Sequence, residues 1–300
     1  MGKVLDALLR RENALLESPT GTGKTLCLLC STLAWQREQK RIINDPEQLV
    51  LSASLAPSKQ QPQRKATVPT IIYASRTHSQ LSQVVRELRN TRYRPKHAVL
   101  GSREQMCVNP KVKKPDGSST ASDINHNCST LCRDRRCKFK NNVEGFNPPM
   151  NESSSQSTHN KQQPVMDMED LVIMGKKHNV CPFYYTREQV ANAELVLLPY
   201  NYLFEKDSRS ITLSDIPWNN AVVIFDEAHN LESFASDSAS FDFSSKDIAG
   251  CMKEIDKALN LHESFPERFP IKTENLIRLK ALFLKLEEYL LRELPQQSMS

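Results

Sequence analysis

The sequence predicts an α/β fold with a parallel sheet, and three observations carry that expectation. Short apolar runs alternate with segments of helical periodicity: TIIYA (70–74), HSQLSQVVRELR (78–89), HAVL (97–100), ELVLLPY (194–200) and AVVIF (221–225). A Gly/Thr-rich segment at 18–25, SPTGTGKT, separates an apolar run from an apolar helix. An acidic box, Asp226-Glu227-Ala228-His229, closes the last apolar run.

Element by element, Val4, Leu5, Leu8 and Leu9 predict a helix, and Ala14, Leu15 and Leu16 a short buried strand after it. Residues 26–40 predict a helix with an apolar first half. The Pro/Gln/Ser-rich stretch 44–68 predicts a surface insertion. Strand, helix and strand follow at 70–74, 78–89 and 97–100. The alternation breaks at about 101 and resumes at 194–200. Between these points lie most of the cysteines, many basic residues and a low-complexity run at 147–164. That run holds too little apolar material to fold and predicts a mobile loop. Beyond about 240 the pattern is helical, ending in the amphipathic ENLIRLKALFLKLEEYLLREL.

The chain has 300 residues, 39% hydrophobic and 25% charged, which is enough apolar material for a core. A net charge of +5 permits a polyanionic partner without proving one. No stretch approaches the roughly 20 apolar residues of a membrane span. The first residues, MGKVLDALLRREN, lack the apolar core of a secretion signal. The eight cysteines are therefore expected in a reducing compartment, where metal binding or burial outranks disulfide formation.

The segment Ser18-Pro19-Thr20-Gly21-Thr22-Gly23-Lys24-Thr25 has the composition and context of a phosphate-binding loop. Glycines let backbone N–H groups wrap phosphates closely. Lys24 is placed to reach the β- and γ-phosphates of ATP, and the Thr25 hydroxyl to ligate Mg²⁺. Ser18 stands where the general pattern has its first glycine. The buried run Ala221–Phe225 ends in Asp226 and Glu227, at the strand end where open α/β sheets put ligands. Asp226 suits Mg²⁺. Glu227 suits orientation and deprotonation of an attacking water. His229 is placed to sense the γ-phosphate.

Cys107, Cys128, Cys132, Cys137 and Cys181 lie in the polar stretch. Taken alone they indicate a metal, either zinc or, with four thiolates, a [4Fe–4S] cluster. Cys27 and Cys30, on the apolar helix, read as core residues, and Cys251 reads the same way.

Several long blocks, in order, point further. ESPTGTGKTLCLLCSTLAW, IIYASRTHSQLSQVVRELRNTRYRPK, LGSREQMCVNPKV, CPFYY, LLPYNYLF and VIFDEAHNLE together resemble the XPD-like iron–sulfur DNA helicases of superfamily two. The resemblance runs from about residue 3 to about 250. It implies a RecA-like first motor domain in two parts, 1–100 and 191–240. It also implies an iron–sulfur insert at 101–190 and the start of a helical arch domain at 241–300. The implied activity is ATP-dependent 5′-to-3′ unwinding of DNA in the nucleus, with Mg²⁺ and a [4Fe–4S] cluster. Roles in telomere stability, repair and control of recombination belong to the same implication.

The resemblance assigns cluster ligation to Cys107, Cys137 and Cys181, with Cys128 preferred over Cys132 as the remaining ligand. It also places Arg76 and Thr77 on single-stranded DNA, and Arg103 beside the cluster, bracing that region or holding DNA. The family's segment upstream of the loop and its second motor half have no counterpart, so the chain is expected to be an N-terminal fragment. A competing reading is a non-catalytic DNA-binding fragment.

Overall fold

The computed structural model describes residues 1–19, 21–45, 67–114, 116–148, 164–241, 244–268 and 272–293. Most of the insertion expected at 44–68, most of the mobile loop expected at 147–164, and Thr20 lie outside the described residues. Two compact units divide the chain, Met1–Ser238 and Ala239–Ser300.

In the first unit, α1 (Gly2–Arg10) and α2 (Lys24–Asn44) precede the sheet. Strand β1 (Thr70–Ser75) leads to α3 (His78–Arg89), and β2 (His97–Val99) follows. The insert supplies α4 (Arg103–Met106), α5 (Ala121–Arg133), α6 (Lys138–Asn141), α7 (Met168–His178) and α8 (Pro182–Val190). The chain returns through β3 (Leu195–Pro199), α9 (Asn201–Phe204), α10 (Lys206–Thr212) and β4 (Ala221–Phe225). A short helix, α11 (Leu231–Ala239), closes the unit.

The sheet is parallel, in the order β2-β3-β1-β4. Its interior strands β1 and β3 are buried on both faces, as unbroken apolar runs require. Alternate residues serve opposite cores. Ile71 and Tyr73 pack with Leu29, Leu33, Leu81 and Leu195. Ile72 and Ala74 pack with Ala98, Val196, Leu198 and Tyr200. Cys27 and Cys30 are half-buried on α2, while its fully packed positions are Leu29 and Leu33.

One expected element is not formed. Ala14, Leu15 and Leu16 make no strand, and Leu15 is 92% exposed. Three apolar residues between Asn13 and Glu17 are too few to bury themselves, and a strand needs a ladder partner. Among the described residues β4 pairs only with β1.

The insert is joined to the sheet's core. Phe183 and Tyr185 are buried in the same cluster as Ile71 and Tyr73. Arg89 of α3 pairs with Asp167 at 3.3 Å and with Asp170, the capping-box residues at the start of α7. Gly175 of α7 has no room for a side chain, since a Cβ there would meet Pro182 Cγ at 2.5 Å and the Val180 carbonyl oxygen at 2.7 Å.

The second unit holds α12 (Ser245–Ser264), begun by a Ser244/Asp247 capping box, and α13 (Thr273–Glu293). Lys280 pairs with Asp256 at 2.5 Å. No helix among the described residues is long and apolar enough to cross a membrane.

Candidate nucleotide site and cysteine cluster

The candidate phosphate loop enters α2 through Gly23, its N-cap. Gly21 and Gly23 have φ of 78° and 75°, a conformation that L side chains rarely adopt. A Cβ at either would meet nothing within 4 Å, so it is backbone freedom that calls for glycine here. The loop folds on its own polar groups. The Ser18 and Thr22 hydroxyls bond each other, and Thr22 Oγ1 also donates to the Pro19 carbonyl at 2.8 Å. Lys24 Nζ donates to the Ser18 carbonyl at 3.1 Å.

The acidic box arrives from β4. Asp226 N–H continues the parallel ladder to the Ala74 carbonyl at 2.9 Å, which fixes where its carboxylate emerges. The Tyr200 hydroxyl donates to the Asp226 carbonyl. Burial, and then the Asp226 and Glu227 carboxylates, push the Tyr200 phenol up to about 12. Glu227 is left-handed, with φ 57° and ψ 46°. That conformation is uncommon for a residue with a side chain, and such strain clusters at functional positions.

The two motifs meet. Lys24 Nζ lies 4.0 Å from Glu227 Oε1, and His229 Nδ1 lies 3.4 Å from Glu227 Oε2. Beneath them is Tyr73, fully buried, whose hydroxyl lies within reach of Asp226 and Thr25 but forms a well-aligned hydrogen bond with neither. Burial raises its pKa most, followed by the Asp226 carboxylate, while the Thr25 hydroxyl opposes the rise. The orphaned hydroxyl therefore faces the two side chains expected to hold Mg²⁺. An unsatisfied buried donor at that point fits a site completed by a hydrated cation.

Arg76 and Thr77 are exposed beyond β1. Thr77 caps α3, accepting from Gln80 N–H at 3.3 Å. Arg76 Nη1 donates to Asn230 Oδ1 at 3.2 Å. Asn230 directly follows the box, and only side-chain geometry distinguishes it from any loop asparagine.

In the insert, Cys128 and Cys132 sit one helical turn apart with Sγ atoms 3.8 Å apart. Asn109 Nδ2 lies 3.5 Å from Cys137 Sγ. Burial pushes the Cys181 thiol up to about 12, and the nearby Cys107 and Cys137 add to the rise. Burial raises the Cys107 thiol too, reinforced by Cys137 and Cys132. Cys132 is raised to about 11 by burial, and Cys128 and Cys137 also push it upward. The thiols thus lie in one another's fields, although among the described residues no three His, Cys, Asp or Glu side chains are drawn into a metal-holding arrangement. Their chemistry fits a soft metal group, because coordination draws out the protons that mutual repulsion otherwise retains.

Arg103 lies 4.5 Å over the Phe183 ring and donates to Asn125 Oδ1 at 3.3 Å. The other face-on partner of Phe183 is Arg187, at 3.4 Å. Arg187 also donates to the Phe183 carbonyl and the Tyr202 hydroxyl, both at 3.0 Å. An arginine carries no sequence mark of such burial, and this clamp was not foreseen.

The DEAD_2 family profile matches residues 73–248. Regulator of telomere elongation helicase 1 of Mus musculus is 40% identical over 96% of this chain and 25% of its own length. The Homo sapiens protein of that name gives the same figures. The Oryza sativa homolog is 41% identical over 96% of this chain and 29% of its own length. The chain thus spans about a quarter of the curated relatives it matches. A solved structure titled XPD_Helicase aligns over 86% of this chain and 38% of its own, with TM-score 0.46 and 20% identity.

Proposed function

Because the chain belongs to the DEAD_2 family, we propose that it is the nucleotide-binding front part of an ATP-dependent DNA helicase, with a RecA-like motor domain at its centre. The observation that carries this reading is the meeting of Lys24 with Glu227 at 4.0 Å, at the end of a parallel sheet. A lysine after a glycine loop and a carboxylate at the end of a parallel strand are the parts phosphoryl transfer to water needs.

Gly21 and Gly23 bring backbone N–H groups to the triphosphate, along with Ser18, Thr20 and Thr22, while Pro19, which has no N–H, shapes the loop. Lys24 leaves Glu227 to take the phosphate charge. Thr25 and Asp226 are the residues that would hold Mg²⁺, which neutralises charge on the β- and γ-phosphates when bound. Freed from Lys24, Glu227 orients the attacking water and accepts its proton. His229 reports the γ-phosphate to the neighbouring loop. Arg76 and Thr77 hold single-stranded DNA, and movement is 5′ to 3′. Nuclear genome maintenance is the setting that the relatives' names support.

In the insert, Cys107, Cys137 and Cys181 would hold a [4Fe–4S] cluster, which would staple the insert together when bound. Spacing favours Cys128 as the fourth ligand. Cys132, one helical turn further on with its Sγ 3.8 Å from that of Cys128, is the alternative. Arg103, stacked on Phe183, braces the insert in this reading; its alternative role is holding DNA.

The test is binding of a fluorescent ADP analogue, with Mg²⁺, to anaerobically purified chain, alongside iron and sulfide analysis. Saturable binding lost in Lys24→Ala, with iron lost in Cys128→Ser and retained in Cys132→Ser, is the expected result. Undiminished binding by Lys24→Ala would remove the nucleotide assignment. Stoichiometric zinc in colourless protein would remove the cluster.

A further inference from the structure

One side chain ties the expected DNA contact to the expected hydrolytic centre. Asn230 uses every polar group it has. Its Oδ1 accepts from Arg76 Nη1 at 3.2 Å. Its Nδ2 donates to the Glu227 carbonyl at 3.3 Å and reaches His229 Nε2 at 2.9 Å. An amide donor at Nε2 makes that nitrogen the acceptor and leaves the proton on Nδ1. Nδ1 is the atom 3.4 Å from Glu227 Oε2, and Glu227 Oε1 is 4.0 Å from Lys24 Nζ. The backbone supports the arrangement. Left-handed Glu227 turns the chain so that Asn230 N–H also returns to the Glu227 carbonyl at 3.1 Å.

We propose that Asn230 is a positioning residue that couples the two ligand sites, through a chain running Arg76–Asn230–His229–Glu227–Lys24. This rests on the reading of Lys24 and Glu227 as the nucleotide site and of Arg76 as a DNA ligand. Each ligand competes with one end of the chain. A nucleic-acid phosphate draws Arg76 away from Asn230. A nucleotide phosphate draws Lys24 away from Glu227. Either event frees the links between, so the second ligand displaces less, and the two bind cooperatively. Coupling of this kind is reciprocal, and factors of about five or more are usual. Most of the links are solvent-exposed, which puts this chain at the lower end of that range.

The experiment measures the dissociation constant of a fluorescent ADP analogue with Mg²⁺, with and without a thymidine oligonucleotide, on the whole 300-residue chain. The parent should bind nucleotide about fivefold more tightly when the oligonucleotide is present. Asn230→Ala should bring that ratio close to one, because nucleotide binds the variant without oligonucleotide as tightly as it binds the parent with it. His229→Ala breaks the same chain one link further on and should give the same loss of ratio. An unchanged ratio in folded Asn230→Ala overturns the proposal. So does a parent that binds both ligands with no coupling, while the nucleotide site itself then stands. A parent that binds neither ligand removes the underlying reading, and the coupling role with it.

Discussion

The candidate nucleotide end of the sheet and the cysteine insert are held together by opposite means. At the sheet end the candidate site side chains are polar and partly exposed, and they satisfy one another: Lys24 with Glu227, Glu227 with His229, Asn230 with Arg76. Their positions come from the backbone, through two αL glycines and a parallel ladder that continues to Asp226. In the insert the thiols are mostly buried, and the elements are fixed by side chains, namely a ring with two guanidiniums stacked on it and an arginine bridging to α7. A site made of mutually paired, exposed charges is ready to exchange those partners for a ligand. A site made of buried protonated thiols has to give up protons before it can take one.

The largest effect should come from the clamp. Arg187 is mostly buried, makes two hydrogen bonds at 3.0 Å and stacks on Phe183 at 3.4 Å. Arg187→Ala removes one hydrogen bond each from the Tyr202 hydroxyl, which still donates to the Gly101 carbonyl, and the Phe183 carbonyl, which still accepts from Thr186, and it deletes the stacking. It should cost about 3 kcal/mol in urea unfolding. Arg76→Ala, at the exposed sheet end, should cost no more than about 0.5 kcal/mol. Equal costs at the two positions would erase the contrast between the regions.

An intermediate effect separates them by pH. The folded Cys181 thiol titrates near about 12, against 9.0 ordinarily, so the unfolded chain loses its proton first. Its contribution to stability is complete below pH 9 and is lost as pH rises through about 12. Tyr200, raised from 10.0 to about 12, begins to contribute the same loss only above pH 10. Metal-free, reduced chain should therefore weaken from pH 9 upward, and Cys181→Ala should make the decline between pH 9 and 10 shallower. The raised Cys30, Cys107 and Cys132 thiols contribute to the decline that remains. Identical slopes for parent and variant would show that Cys181 is not protonated and buried as described.

The two regions also differ in what the sequence discloses. The loop and the box are contiguous, and each lies at the end of an element whose type its own residues dictate, so Lys24, Asp226 and Glu227 are legible without coordinates. TIIYA and LVLLP read as buried parallel strands for the same reason, whereas AVVIF, expected to be buried, forms a strand paired only with β1 among the described residues, with Val223 38% exposed and only Ile224 buried. The failed strand at Ala14–Leu16 shows the limit, because apolarity is local but a ladder partner is not. The choice between Cys128 and Cys132 is likewise a question of which thiols converge between Cys107 and Cys181, and spacing along one helix does not answer it. Asn230 and Arg187 are ordinary residues until their neighbours are known.

The smallest effect is the sharpest test of how the sheet end is built. Tyr73 alternates with Ile72 and Ala74 onto the face under α2, and its hydroxyl is buried within reach of Thr25 and Asp226 without a well-aligned hydrogen bond to either. A buried donor left unmade costs stability, and removing it at constant shape is close to neutral or favourable. Tyr73→Phe should therefore leave the ligand-free chain unchanged or more stable by up to about 1 kcal/mol. The same variant should lose part of the thermal stabilisation that Mg²⁺-nucleotide gives the parent, because the hydroxyl acquires its partner only when the cation's hydration shell is present. A ligand-free variant less stable than the parent by more than about 1 kcal/mol would mean that the hydroxyl is already bonded in the empty site. The sheet end would then be preorganised from within, as the insert is, and the contrast between the two regions would narrow to their charges.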